Sequence, residues 1–167
     1  EQRLAPSGLE AGAQPDTRSA TNSQSLEGIV WATVESQPGT WAVLVKHLET
    51  AERAEVNADY QMNVASLYKL QVLYAAYALE RSGELSLDEV LPEGWTVARA
   101  LYDMITISDQ DATFALLRRM GTDTVNAIMA DLGLQQSYIT DWGYSTARET
   151  AILLEMMALG EAVDTEA

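Results

Sequence analysis

Helical periodicity over most of the chain is the feature that most constrains its fold. From Ser66 to Gly160 the apolar residues recur with the three- and four-residue spacing of helices that bury one face. Glycines close four of these stretches, where a C-terminal cap is expected: Gly83, Gly121, Gly133 and Gly160. The sequence therefore predicts a region of five or six helices, over residues 61–160.

Polar residues mark four expected helix starts within this region. Ser86 and Thr146 are each followed three residues later by glutamate, the capping-box pattern in which both side chains satisfy backbone N–H groups. Thr96 and Asp123 are expected to act as N-caps of two further helices.

A different pattern precedes the helical region. Residues Leu26 to Val34 have helical spacing, and Pro38-Gly39 stops that helix. The run from Trp41 to Leu48 alternates large residues like a strand, and Ala54 to Val56 predicts a short returning strand. Residues 25–60 are thus predicted to supply a helix and a strand hairpin. Two strands alone do not make a stable sheet, so this hairpin is expected to be part of a larger one.

Residues 1–24 are rich in Ala, Ser, Gly, Pro and Gln and contain almost no large apolar side chains. Such a segment buries too little surface to offset its ordering entropy, so we predict a flexible N-terminal tail. A tail between an export signal or lipid anchor and a folded domain has this composition, and an ordinary frayed terminus has a similar one. We therefore expect an extracytoplasmic location, secreted, periplasmic or lipid-anchored, after removal of a signal.

Charge and composition exclude several classes of function. With 25 acidic and 10 basic residues the formal net charge is −15, which disfavours binding to nucleic acids and anionic membranes. The chain has no cysteine and one histidine, His47, so neither a thiolate nor a multi-histidine metal site is expected. No metal and no organic cofactor is implied.

The stretch Val64-Ala-Ser-Leu-Tyr-Lys-Leu70 contains a serine and a lysine three residues apart, Ser66 and Lys69. Residues i and i+3 share one face of a helix, so the lysine amine can approach the serine hydroxyl. Serine needs a base to become a nucleophile, and a lysine serves when burial among apolar neighbours lowers its pKa. The alternative interpretation is a helix-capping serine beside an extended surface lysine. The motif alone does not decide between the catalytic and the structural interpretation.

A second element, Thr106-Ile-Ser-Asp-Gln-Asp-Ala112, lies between two predicted helices. Ser66-x-x-Lys69 followed by Ser108-Asp109-Gln110 resembles the S-x-x-K and S-D-N elements of the serine β-lactamase (class A-like) and D,D-peptidase, or penicillin-binding protein, superfamily. Segments between and after them resemble the same family in the same order, namely Ser82 to Leu91, Leu116 to Gly133 and Ser145 to Gly160.

The resemblance implies a β-lactamase/transpeptidase-like α+β fold, with a helical lobe and an antiparallel sheet lobe that is incomplete in this chain. It implies a serine hydrolase that forms an acyl-enzyme on β-lactam or D-Ala-D-Ala-like amides. Ser66 is the implied nucleophile, Lys69 its activating base and Ser108 the proton bridge to the leaving nitrogen. Gln110 is the implied substrate-binding residue.

Three departures from the family pattern stand out. Gln110 occupies the place where asparagine is usual. Residues 135–144 contain no glutamate to activate a deacylating water, and Asp141 is their only acid. No Lys-Thr-Gly or Lys-Ser-Gly motif follows in these 167 residues. We therefore expect residues 25–167 to be the N-terminal portion of a longer domain, with a second polypeptide segment completing the sheet.

Two other functions remain open from the sequence. A catalytically impaired family member would bind a penicillin, a cell-wall peptide or a protein without turnover. A helical interaction protein with a coincidental motif would hold Ser66 and Ser108 far apart in space.

Overall fold

The computed structural model of the protein describes residues 25–161, and the predicted tail over residues 1–24 lies outside them. The elements follow in the order α1 (Leu26–Glu35), β1 (Val43–Lys46), β2 (Arg53–Val56), β3 (Met62–Asn63), a 3₁₀ helix (Ala65–Tyr68), α2 (Lys69–Ser82), α3 (Val97–Thr106), α4 (Gln110–Met120), α5 (Thr122–Asp131), β4 (Tyr138–Ile139), β5 (Gly143–Ser145) and α6 (Ala147–Ala158).

Strands β1 and β2 form the predicted antiparallel hairpin, in a register that pairs Val43 with Val56 and Lys46 with Arg53. Helix α1 packs along β2, and α6 packs along β1. Ala54 and Val56 are buried on β2. Among residues 25–161 this sheet has two strands, so each has a strand neighbour on one side only.

Helix α2 lies at the centre of the helical lobe and contacts α3, α4, α5 and α6. Its residues Val72, Ala75 and Ala76 are fully buried and pack in one cluster with Met104 of α3 and Leu116 of α4. This cluster holds the start of α2 rigidly, and Lys69 is the first residue of that helix.

A second, three-stranded sheet of order β3–β5–β4 lies inside the helical lobe. Met62 pairs with Ser145, and Tyr138 pairs with Tyr144, both in antiparallel register. Periodicity did not predict these strands because segments of two or three residues are too short to show an alternation. The sheet joins the segment before Ser66 to the loop that follows α5.

Two of the four expected helix starts are confirmed. The Thr96 hydroxyl accepts a hydrogen bond from the Arg99 N–H at 3.2 Å, and the Thr146 hydroxyl accepts one from the Glu149 N–H at 3.1 Å. The expectation for Asp123 was wrong in detail, because α5 begins at Thr122 and Asp123 lies within its first turn.

The helix expected after Ser86 was wrong. The segment is a turn, in which the Ser86 hydroxyl accepts a hydrogen bond from the Asp88 N–H at 3.3 Å. Leu85 and Leu91 are both buried on either side of this turn. The glutamate of the apparent capping box, Glu89, instead binds Arg119 of α4 at 2.8 Å. Core packing and this ion pair override the local helix signal.

The architecture is α+β, a helical lobe with an incomplete antiparallel sheet lobe, as the sequence indicated. Within residues 25–161, each helix is too short or too polar to cross a bilayer.

Candidate active site

Ser66 lies on the 3₁₀ helix that connects β3 to α2. The preceding residue, Ala65, has a left-handed backbone with φ of 44°, which is strained for a side chain other than glycine. The Asn63 side-chain oxygen stabilises this turn by accepting a hydrogen bond from the Ala65 N–H at 2.9 Å. The turn presents the Ser66 hydroxyl at the surface, at the N-terminal end of a helical run where main-chain N–H groups favour negative charge.

The side chain of Lys69 points into the protein, and the residue is only 3% exposed. Its amine donates to the main-chain carbonyl oxygen of Ser108 at 2.7 Å and to the Ser108 hydroxyl at 2.8 Å. Burial lowers the pKa of Lys69 below its ordinary value, and the negative charge of Asp109 opposes that shift in part. A lysine in this environment is more readily available as a neutral amine than one in water.

Ser108 lies in the short connection between α3 and α4, with φ of 58°. A main-chain hydrogen bond links this connection to the last turn of α3, because the Asp109 N–H donates to the Asp103 carbonyl oxygen at 3.2 Å. Asp109 then caps α4 by accepting a hydrogen bond from the Ala112 N–H at 2.9 Å. The two helix ends together hold Ser108 in its left-handed conformation, a position at which glycine is usual.

The structure brings Ser66, Lys69 and Ser108 together. The Ser108 hydroxyl donates to the Ser66 hydroxyl at 3.1 Å while accepting from the Lys69 amine. A continuous path of hydrogen bonds therefore runs from the exposed Ser66 hydroxyl through Ser108 to the buried amine. When both hydroxyl groups turn so that Ser66 donates to Ser108 and Ser108 donates to a neutral amine, this path can carry a proton from a serine that attacks a carbonyl carbon.

Gln110, the fourth residue identified from the sequence, is the first residue of α4 and is exposed on the same side as Ser66. Its side-chain N–H donates to the Tyr68 hydroxyl at 2.9 Å. A tyrosine at this place in the motif is more often a packing residue than a catalytic one. The residue does pack against the main core cluster, and its hydroxyl also reaches the site.

A cleft of about 720 Å³ opens beside Ser66. One wall comes from α4, including Phe114 and Leu117, and the opposite wall comes from the β4–β5 hairpin, including Trp142. From the sequence, Trp142 could either line a pocket or pack in the protein, and packing was the favoured interpretation. It is instead 64% exposed and lines the cleft, and Phe114 is 47% exposed. The cleft thus places the Ser66 hydroxyl beside apolar walls, an arrangement common in pockets for organic ligands.

The hairpin that forms this wall is anchored on both sides. Asn126 of α5 makes two hydrogen bonds of 2.8 Å with the main chain of Ile139. Glu149 of α6 accepts a hydrogen bond from the Ser137 hydroxyl at 2.6 Å. Asp141 lies in this hairpin and lines the cleft.

Asn63 and Phe114 are cleft residues that the sequence analysis did not identify. Asn63 was detectable in principle, because an asparagine two residues before a strained position is a common turn signal. Phe114 carried no such signal, since one aromatic residue in an apolar helix is usually part of a core.

Over residues 25–161, no three histidine, cysteine, aspartate or glutamate residues lie together in a way that could hold a metal ion.

Comparison with known proteins identifies the family. The family described as "Beta-lactamase enzyme family" matches residues 24–167. No curated protein matches the sequence. Among solved structures, an ancestral (GNCA) class A β-lactamase aligns with a TM-score of 0.76 and 20% identity over 84% of this chain and 66% of that chain.

Two further structures give the same result. PBP-A aligns with a TM-score of 0.76 and 21% identity, over 84% of this chain and 63% of that one. A β-lactamase from Chitinophaga pinensis aligns with a TM-score of 0.73 and 19% identity, over 82% and 64%. The chain spans slightly less than two thirds of the length of these structures, and at such identities the likeness concerns the fold. The match over residues 24–167 goes further, and the chain belongs to the beta-lactamase enzyme family.

Proposed function

We propose that this chain carries the nucleophile of a serine hydrolase that forms an acyl-enzyme with β-lactams or with D-Ala-D-Ala-like amides. The observation that carries the proposal is the hydrogen-bonded path from Ser66 through Ser108 to the buried Lys69. The chain's family and its fold support the same chemistry. A variant of the neighbour PBP-A is described as an acyl-enzyme complex with penicillin G.

In the acylation step, the Ser66 oxygen bonds to the carbonyl carbon of the substrate. The serine proton passes to the Ser108 oxygen, and the proton of Ser108 passes to the neutral Lys69 amine. Negative charge develops on the carbonyl oxygen, and N–H groups at the start of the helical run after β3 favour that charge.

The carbon–nitrogen bond then breaks. The leaving nitrogen takes a proton from Ser108, which is replaced by one from Lys69. Water must release the acyl group in a second step. A chain that acylates and then hydrolyses is an enzyme of this class, whereas a chain that keeps the acyl group is a penicillin-binding module.

We further propose that a second polypeptide segment completes the sheet lobe. Strand β1 has an open edge among the described residues, and a groove beside it is lined by Leu44, Leu48 and Leu154. Leu48 and Leu154 are about half exposed. Open edges and apolar surface of this kind are normally covered in a stable protein.

We also propose an extracytoplasmic location for the protein, on the basis of the composition of residues 1–24.

Intact mass spectrometry before and after exposure to penicillin G tests these proposals. The expected result is a mass increase equal to one penicillin, which disappears in Ser66→Ala while the circular-dichroism spectrum keeps its helical signal. Labelling of Ser66→Ala at the wild-type rate would assign the nucleophile to another residue. The same spectrum shows whether a second polypeptide accompanies the chain, and its absence from a stable, monomeric protein would contradict the sheet proposal.

A further inference from the structure

Tyr68 connects the turn that carries Ser66 to the start of α4. Its hydroxyl accepts the hydrogen bond from the Gln110 side-chain N–H at 2.9 Å, and both residues line the cleft with Ser66. We propose that Tyr68 is a positioning residue, which holds the Gln110 amide in place for an amide group in the acyl part of the substrate. This inference rests on the proposed acyl transfer at Ser66.

Packing immobilises Tyr68. The ring lies against the main core cluster, and the main chain of Gly143 passes directly over its base. A Cβ atom added at Gly143 would lie 2.2 Å from the Cβ atom of Tyr68, so no side chain other than hydrogen fits there. The Gly143 carbonyl oxygen also accepts a hydrogen bond from the Val64 N–H at 3.0 Å. The phenol therefore offers a hydrogen-bond partner at a fixed place.

A long side chain such as that of Gln110 benefits more from a fixed hydrogen-bond partner than a shorter side chain does. It is exposed at the first position of α4, and its side chain rotates about three bonds. Ordering a free glutamine when substrate binds costs conformational entropy, and a partner that orders it beforehand removes part of that cost. The bond to Tyr68 orders this long side chain before substrate binds, so the two residues act as a pair.

The geometry leaves a defined set of groups for the ligand. Tyr68 takes one of the two amide hydrogens of Gln110, which leaves the second hydrogen and the amide oxygen. These groups complement the C=O and the N–H of a secondary amide. The expected ligand class is an acyl donor that carries a secondary amide next to the carbonyl attacked by Ser66, as acylamino penicillins and peptides do.

The test compares acylation of Ser66 in the wild-type chain and in Tyr68→Phe, followed by intact mass spectrometry. Two substrates are used: penicillin G, which has the acylamino amide, and the penicillin nucleus with a free amino group in its place. The expected result is a roughly tenfold loss of acylation efficiency with penicillin G, seen in the concentration needed for half-maximal rate rather than in the maximal rate. With the free-amine nucleus the two proteins should react equally.

Two further variants separate positioning from a structural role. Gln110→Ala should show the same substrate-dependent loss, and adding Tyr68→Phe to it should cause no further loss, because the phenol acts only through Gln110. Tyr77→Phe is the matched control, since Tyr77 is half-buried on α2 and does not line the cleft. It should react like the wild type with both substrates.

An equal loss in Tyr68→Phe with both substrates would overturn the inference, because it would show a general effect on Ser66. Equal reaction of Tyr68→Phe and wild type with penicillin G would overturn it as well. In both cases the proposed acyl transfer would stand. A wild-type chain that neither substrate acylates would overturn the proposed function, and the role of Tyr68 with it.

Discussion

The amine of Lys69 lies 2.8 Å from the hydroxyl of Ser108 and 2.7 Å from the carbonyl oxygen of the same residue. The two residues are 39 positions apart in sequence and belong to different helical segments. The contact places a buried amine against a serine with a left-handed backbone, and each of these features has a measurable consequence.

Acylation of Ser66 is expected to rise with pH through the lowered pKa of Lys69. Desolvation lowers this pKa, so the amine is protonated below the lowered value and cannot accept a proton. Above that value it is neutral, and the rate should level off. The measurement is the acylation rate with penicillin G over a pH series. Lys69→Ala should be acylated at least ~10²-fold more slowly, and its acylation rate should no longer rise with pH in this range. An unchanged pH profile in Lys69→Ala would exclude the amine as the base.

Replacing Ser108 with alanine or with glycine should separate the chemistry of the hydroxyl from the strain of the backbone. Both variants lack the hydroxyl that links Ser66 to Lys69, so both should acylate about 10²-fold more slowly than the wild type. Glycine accepts the φ of 58° without strain, so Ser108→Gly should be more stable than Ser108→Ala by roughly 1 kcal/mol. Chemical denaturation measures that difference, and a more stable alanine variant would contradict it.

Gly143→Ala is expected to destabilise the protein and to slow acylation together. The added methyl group would meet the base of Tyr68 at 2.2 Å, so the hairpin or the nucleophile turn must move. Overpacking of this kind costs about 1–3 kcal/mol. Gly83→Ala is the control, because Gly83 has a φ of 78° but an added Cβ meets no atom within 4 Å. It should lose stability from backbone strain and keep its acylation rate. Equal acylation in both variants would contradict the prediction.

Arg148 is expected to stabilise the protein against acid. It lies on α6 and binds Glu55 of β2 at 2.7 Å and Asp59 at 2.6 Å. These hydrogen bonds lower the pKa of both carboxyls below their ordinary values. Because the folded pKa lies below the unfolded one, the stabilisation is present above the ordinary values. The stabilisation is lost as the pH falls through the lowered pKa values of the folded protein.

Thermal unfolding of Arg148→Met over a pH series checks this. At neutral pH the variant should have a lower melting temperature than the wild type. The difference between the two melting temperatures should become smaller as the pH falls below about 4. Arg99→Met is the control, because the exposed Arg99 side chain pairs with Asp103 one turn along the same helix. Its effect should be small at every pH. A gap for Arg148→Met that stays constant down to low pH would contradict the assignment.

Much of the helical architecture followed from local chemistry. The helices that start at Thr96 and Thr146 begin where a hydroxyl caps the first turn, and the α1 helix ends before Pro38-Gly39. The error at Ser86 has a tertiary cause. Buried leucines on both sides and the ion pair between Glu89 and Arg119 hold that segment as a turn. A capping pattern reports a local preference, which burial can override.

The sequence by itself determined which residues are chemically able to form the candidate site. The spacing of Ser66 and Lys69, and the position of Ser108 between two helices, followed from periodicity and motif because they depend on neighbours in the chain. The family resemblance implied that Ser108 meets Lys69. Only the tertiary structure decided that Lys69 reaches both the hydroxyl and the carbonyl oxygen of Ser108, that Tyr68 meets Gln110, and that Trp142 faces a cleft. Those relationships join residues far apart in sequence, and they depend on helix packing that buries the amine and holds a strained serine in place. Local pattern contains no information on such contacts, because they are set by how the helices and the small sheet pack together.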